Sequence, residues 1–313
     1  MANYFSSDVS ANKVARSVLE DGYAVVESLA PDLTRQAGRE LQAHIDEAPF
    51  GHTEFLGART RRISALPKRS PAVQQLIIHD LVLGVCDQVL LKQCAKYQLN
   101  FTGIMQLHPG AEGQVLHRDG LLYPFRNPHP PTMVQAMWAV SDFSAENGGT
   151  NIVPQSNHWE DQRWPEDDEV ISAEMPKGSV LFYQSGTIHG AGANNSNSLR
   201  TGISIQYSLG WLRTEENQQL TNPPEIAKAF PEKLQQLVGY EFGGPYLGFV
   251  NGDDPKWLVQ DKPDNSPLAR SRPDIDEAQE KLPRFRFGDV EPIATPKGRT
   301  LHSVRVPDTA GKK

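Results

Sequence analysis

The stretch Gln114-Val115-Leu116-His117-Arg118-Asp119 carries an imidazole and a carboxylate two residues apart. In an extended strand the side chains at i and i+2 project from the same face, so His117 and Asp119 would point at one spot. A second histidine on a neighbouring strand would complete a set of two imidazoles and one carboxylate, which binds iron and leaves coordination positions open. The stretch therefore predicts a metal site on a β-rich scaffold.

The third ligand is predicted to be His189, which follows a β-prone run at residues 178–183. Arg200 lies on the next β-prone run, and its guanidinium can grip a carboxylate through two parallel hydrogen bonds that lysine cannot match. The chain has 9 histidines, and three rivals lack this placement between a strand and an arginine: His108, His129 and His158. We expect His189 to complete the metal site and Arg200 to bind a carboxylate co-substrate.

The order of the elements predicts a mainly β fold with flanking helices. Helical periodicity covers residues 9–90, short apolar runs between turns fill residues 97–211, and residues 212–250 are covering helices. Many short strands separated by turns indicate a sandwich or barrel, and helices leading into them indicate a helical layer against one sheet. We expect a double-stranded β-helix, the jelly-roll or cupin-like core, with the metal facing inward.

The domain prediction is one domain over residues 1–255, followed by a C-terminal arm, lid or flexible tail over residues 256–313. That tail is rich in Pro, Asp, Lys and Arg and has few apolar anchors. Four expectations concern single elements: a strand at 115–118, a helix in one or two pieces at 71–89 with Gly84 as a possible break, irregular chain at 49–62 and a helix at 224–237.

Composition excludes several classes of partner. A net charge of −7 gives no electrostatic reason to expect nucleic acid or an anionic membrane. No segment approaches the roughly 20 apolar residues of a membrane helix, and the amino terminus lacks a signal pattern. The 2 cysteines are too few for a disulfide framework or a thiolate zinc site. We expect a cytoplasmic protein that acts on a small molecule.

Taken together, the motifs resemble the phytanoyl-CoA dioxygenase family of Fe(II)/2-oxoglutarate oxygenases, over about residues 19–249. Bacterial members and fungal natural-product oxygenases are the similar branches. The matching pieces are Gln114-x-x-His117-x-Asp119, Asn147-Gly148-Gly149-Thr150, Val153-Pro154-Gln155-Ser156-Asn157-His158, Gly178-Ser179-Val180-Leu181, His189-Gly190, Arg200 and Phe55-Leu56-Gly57-x-x-Thr60-x-Arg62.

The resemblance implies a role for each matching residue. Fe(II) would be held by His117, Asp119 and His189, which leaves positions for 2-oxoglutarate and O2. Arg200 would bind the distal carboxylate of 2-oxoglutarate, with further contacts from Gln114 and Thr150. For Thr150 the alternative is turn capping after the two glycines that precede it.

The implied reaction is hydroxylation of an unactivated C–H bond in a small organic or secondary-metabolite substrate, giving succinate and CO2. Desaturation, ring expansion and endoperoxide formation stay open, because they diverge only after hydrogen abstraction. Asp119 argues against halogenation, which needs a small residue at that position to make room for a halide.

Residues on strands or loops next to the ligands are expected to contact the substrate: Arg62, Met105, Leu122, Tyr123, Phe125, Met137 and Tyr207. The alternative is plain core packing for the apolar and aromatic side chains and a solvated basic loop for Arg62. Two other functions stay open, a non-catalytic jelly-roll binding module and a cupin-type metal enzyme that does not use 2-oxoglutarate. A homodimer, implied by fungal relatives, is a further expectation.

Overall fold

The strands form a seven-stranded and a three-stranded sheet in a computed structural model that describes residues 3–244 and 247–262. In chain order they are β1 (Tyr4–Phe5), β2 (Tyr23–Val26), β3 (Thr60–Ser64), β4 (Tyr97–Leu107), β5 (Met133–Ala139), β6 (Thr150–Ile152), β7 (Ile171–Ala173), β8 (Val180–Gln184), β9 (His189–Ala191) and β10 (Arg200–Leu209). The large sheet has the order β1-β2-β8-β5-β10-β4-β3 and the small sheet β7-β6-β9. All neighbours are antiparallel except β1 and β2.

The helices are α1 (Ala11–Glu20), α2 (Pro31–Glu47), α3 (Pro71–Ile77), α4 (Asp80–Leu90), α5 (Gln218–Thr221), α6 (Pro224–Ala227) and α7 (Glu232–Leu237). The first four pack on one face of the large sheet, where apolar side chains such as Val18, Leu41 and Val85 share a core with Trp138 and Phe182. Among the described residues no single helix is long and apolar enough to cross a membrane, although α3 and α4 reach that length and composition together across a 41° bend.

The opposite face of the large sheet packs against the small sheet. Met137 and Leu181 point to that side and meet Ile152 and Ala173 of β6 and β7. Their strand neighbours Trp138 and Phe182 point to the helices, because successive side chains of a strand alternate between faces. Two sheets with helices outside one of them confirm the predicted fold class, a mainly β jelly-roll core with flanking helices.

Several local expectations were wrong. Residues 115–118 form no strand: His117 makes one isolated bridge to His189, and a short 3-10 helix begins at Asp119 and turns the chain away. The break between α3 and α4 falls at Ile78 and His79, where the His79 side chain caps α4, and Gly84 lies inside α4. The predicted irregular stretch at 49–62 ends in β3, which pairs with β4.

Two further differences have simple causes. The predicted helix at 224–237 is split into α6 and α7 at Pro231, which has no backbone N–H to donate. Strands β7 and β9 have three residues each, too few for a periodic pattern to show in the sequence. The domain boundary at residue 255 stays a prediction, although Val259 just beyond it is buried in the core; residues 263–313 lie outside the described residues.

Candidate metal centre

Two histidines and one aspartate converge in the cleft between the sheets. His117 and His189 exchange backbone hydrogen bonds of 2.9 Å across their isolated bridge, which sets their rings 4.5 Å apart. The Nε2 atoms of His117 and His189 lie 3.7 and 3.6 Å from Oδ1 of Asp119. One ligand atom from each residue fits within 4.8 Å of the others, and the described part of the chain holds no second group of this kind.

Hydrogen bonds to Nδ1 determine the tautomer of both imidazoles. Nδ1 of His117 lies 2.9 Å from the carbonyl of Val115, and Nδ1 of His189 lies 3.0 Å from that of Thr187. A carbonyl only accepts, so each Nδ1 carries the proton and each Nε2 offers its lone pair to a metal. Burial also lowers the pKa of His189, which favours the neutral form that binds metals. The donor set fits a first-row metal such as Fe(II).

Arg200, the first residue of β10, is a buried cation beside this group. It is 2% exposed, its guanidinium carbon lies 3.7 Å from the centre of the Phe143 ring, and it donates to Oγ1 of Thr150 at 3.0 Å. No ion pair to an acidic residue forms within the described chain, and its Nε has no hydrogen-bond partner there. Burial, assisted by the like charge of Arg62, lowers the pKa of Arg200 to about 9. An anion bound here would supply the missing counter-charge.

A cavity of about 340 Å³ joins the three ligands to Arg200. Of the other residues predicted for the site, the structure brings five to its wall: Arg62, Met105, Gln114, Met137 and Thr150. Gln114 spans the cleft, since its Nε2 donates to the carbonyl of Phe55 at 3.3 Å and its Oε1 accepts from the N–H of Ala191 at 3.4 Å. Thr150 holds Arg200, which goes beyond the turn-capping alternative.

Four predicted substrate contacts do not line the cavity, and those expectations are corrected. Tyr207 points to the helical layer and donates to the carbonyl of Ile77 at 2.6 Å, because its neighbour Gln206 occupies the cavity face. Leu122 is 58% exposed on the short 3-10 helix. Tyr123 donates to the carbonyl of Arg213 at 2.6 Å, and Phe125 packs edge-on against Trp211 instead.

Sequence reasoning missed several residues of the cavity wall: Phe55, Gln135, Tyr183, Ser204, Gln206 and Glu215. The Tyr183 ring lies 4.3 Å from that of His189, and burial raises the pKa of its hydroxyl well above the ordinary range. The Phe55 ring meets His117 edge-on at 5.1 Å. Strand alternation from Leu181 could have placed Tyr183 on the inner face, and the family motif that begins at Phe55 could have marked that residue.

The chain belongs to the phytanoyl-CoA dioxygenase (PhyH) family, whose model matches residues 18–202. This is the class of Fe(II)/2-oxoglutarate-dependent dioxygenases, so the recognised family, the enzyme class and the cofactor set of Fe(II), 2-oxoglutarate and O2 are confirmed. The chain is 31% identical to dioxygenase aneA of Aspergillus aculeatus, across 78% of this chain and 89% of the relative. It is 29% identical to multifunctional dioxygenase prhA of Penicillium brasilianum, across 75% and 85%.

Solved structures agree on the fold. The epimerase SnoN from nogalamycin biosynthesis, a non-haem alpha-ketoglutarate-dependent enzyme, is 19% identical with a TM-score of 0.52, covering 63% of this chain and 80% of SnoN. HygX from Streptomyces hygroscopicus, solved with nickel, 2-oxoglutarate and hygromycin B, is 15% identical with a TM-score of 0.50, covering 65% and 89%. At these identities the likeness shows a shared fold.

Proposed function

We propose that this dioxygenase hydroxylates an unactivated C–H bond of a small natural-product substrate, with 2-oxoglutarate converted to succinate and CO2. The observation that carries the proposal is Arg200, a buried guanidinium without an acidic partner in the described chain, in the same cavity as the His117, Asp119 and His189 group. A dicarboxylate with one end at the metal would place its other carboxylate at this guanidinium. The pairing explains why a cation is buried there.

Each residue then has a defined task. His117, Asp119 and His189 would hold Fe(II), which when bound supplies the coupling of O2 reduction to decarboxylation of 2-oxoglutarate. Arg200 grips the distal carboxylate in a dry site, where charge-assisted hydrogen bonds are strong. Thr150 keeps the guanidinium in orientation, and the packed sheets exclude water from the reacting centre.

The other residues that line the cavity indicate which kind of substrate it could hold. Met105, Met137 and Phe101 provide apolar surface, while Arg62 and Glu215 provide charges of both signs. Such a wall fits an amphipathic molecule of modest size. The solved neighbours point the same way, since SnoN is described in complex with nogalamycin RO and HygX with hygromycin B.

An anaerobic titration of the Fe(II)-loaded protein with 2-oxoglutarate tests the proposal. A weak metal-to-ligand charge-transfer band in the visible is expected, lost in His117→Ala and reached only at much higher 2-oxoglutarate in Arg200→Met. Bound metal without a band would favour the cupin-type enzyme, and a protein that binds no metal would favour the non-catalytic binding module. The homodimer stays a prediction, which the mass of the protein in solution decides.

A further inference from the structure

We propose that Gln206 is a positioning residue that fixes Asp119 as a metal ligand through a single oxygen. The inference rests on the metal site of the proposed function. Oδ1 of Asp119 faces both imidazoles, at 3.7 and 3.6 Å from their Nε2 atoms. Oδ2 instead accepts a 2.8 Å hydrogen bond from Nε2 of Gln206. The two oxygens of the carboxylate therefore have separate partners.

A bulge in the large sheet puts Gln206 in reach. The pairing of β10 with β4 shifts between Gln206 and Tyr207, so that Asn100 of β4 has no partner of its own in the ladder. The extra residue of a bulge re-aims nearby side chains. Here Asn100, which is fully buried, donates from Nδ2 to Oε1 of Gln206 at 3.0 Å. The bulge thus supplies the group that orients Gln206.

A backbone N–H determines which ends of the Asn100 and Gln206 side-chain amides donate and which accept. The N–H of Glu215 donates to Oδ1 of Asn100 at 3.1 Å, so the other end of that amide is the donor. It follows that Gln206 accepts through Oε1 and turns its N–H to Asp119. Tyr123, 3.3 Å from Oδ1 of Asn100, belongs to this network and not to the substrate pocket.

The consequence for a bound metal is geometric. If Gln206 holds Oδ2, the Asp119 carboxylate would offer the metal only Oδ1. Coordination positions would then stay free for O2 and for a co-substrate that binds through two oxygen atoms. Released from Gln206, the Asp119 side chain loses the hydrogen bond that orients it, so ordering the carboxylate opposes metal binding. Partners of this kind typically change metal affinity by about 10- to 100-fold.

Binding of Co(II) under anaerobic conditions tests the inference without turnover, because the visible spectrum of Co(II) reports its coordination. Gln206→Leu should weaken Co(II) binding by about 10-fold or more and change the visible band. Asn100→Ser should act in the same direction with a smaller effect, and add little in the Gln206→Leu background. The matched control is Gln184→Leu, because Gln184 is a buried glutamine of the same sheet that does not line the cavity. This variant should bind Co(II) like the wild type.

Co(II) affinity in Gln206→Leu equal to or above that of the wild type, with an unchanged band, overturns the inference. Circular dichroism establishes folding, and if Gln206→Leu does not fold, Asn100→Ser decides by the same criterion. The proposed function fails separately: a wild type that binds Co(II) but not 2-oxoglutarate contradicts it, while the Co(II) comparison still tests Gln206.

Discussion

Replacing Arg200 by methionine should abolish tight binding of 2-oxoglutarate and at the same time stabilise the ligand-free protein. Methionine matches the arginine side chain as far as Nε but lacks the rest of the guanidinium group and its charge, so it packs in the site without requiring an anion. The two effects have opposite signs because the same buried charge that recruits a carboxylate is unfavourable while no carboxylate is bound.

The structure gives the size of both effects. Burial lowers the pKa of Arg200 from its ordinary value to about 9, a difference that corresponds to about 5 kcal/mol. Below pH 9 the folded protein carries the charge, so this cost is fully present at neutral pH. The contacts with Thr150 and Phe143 that methionine loses offset about 2–3 kcal/mol. A net gain of about 2 kcal/mol remains, or several degrees in melting temperature.

The affinity of Arg200→Met for 2-oxoglutarate should change by more than its stability does. Removing one partner of a buried charge pair is unfavourable by about 3–5 kcal/mol, which raises the dissociation constant of 2-oxoglutarate by about two to four orders of magnitude. The charge-transfer titration measures the affinity, and calorimetry without ligand measures the stability. Arg61→Met is the control, because Arg61 lies outside the cavity and donates to the carbonyl of Asp46; it should keep wild-type affinity and gain no stability.

Two results would refute this reasoning. If Arg200→Met binds 2-oxoglutarate within about tenfold of the wild type, the guanidinium is not the carboxylate clamp. If the ligand-free variant melts well below the wild type, the charge was already compensated in the folded protein. In that case the argument from an unpaired cation fails even if affinity falls.

Four further outcomes are expected. Wild-type affinity for 2-oxoglutarate should be constant below pH 9 and fall about tenfold per pH unit above it, because Arg200 must take up a proton to bind once it has titrated; titrations from pH 7 to 10.5 check this. Arg62→Met should move that alkaline limb to higher pH by removing a like charge, whereas Arg61→Met should leave it in place. Thr150→Val should weaken 2-oxoglutarate binding about fivefold, a loss of roughly 1 kcal/mol that Thr150→Ser avoids. Tyr207→Phe should lower the free energy of unfolding by about 1–2 kcal/mol in a denaturant titration, with affinity unchanged, because its hydroxyl bonds a buried carbonyl far from the cavity.

The residues of the metal site could be predicted because their chemistry is local. His117 and Asp119 are two apart in extended chain, and Arg200 begins a long strand whose inner face is fixed by alternation. The prediction of the ligand pair holds although residues 115–118 form no strand, because one bridge to His189 is enough to keep His117 and Asp119 in place.

The features of the site that could not be predicted from the sequence depend on irregular backbone. The bulge at Asn100 leaves no pattern in composition, yet it decides that Gln206 reaches Asp119. Leu122 is only three residues from Asp119, which favoured a place in the pocket. The 3-10 helix that begins at Asp119 instead directs the Leu122 side chain to solvent. Tyr207 lies on the same strand as Arg200 and Gln206, but strand alternation puts its side chain on the helical face and not in the cavity.

Hydrogen bonds join the two halves of the site across the cleft. Asp119, which follows the segment bridged to β9 of the small sheet, is held by Gln206 of the large sheet, and Arg200 of the large sheet is held by Thr150 of the small one. A metal at Asp119 and a dicarboxylate at Arg200 would therefore each hold in place a side chain that bonds across the cleft. Because both ligands favour the same arrangement of the two sheets, binding of one should raise the affinity for the other, and the increase in melting temperature with both present should exceed the sum of the separate increases.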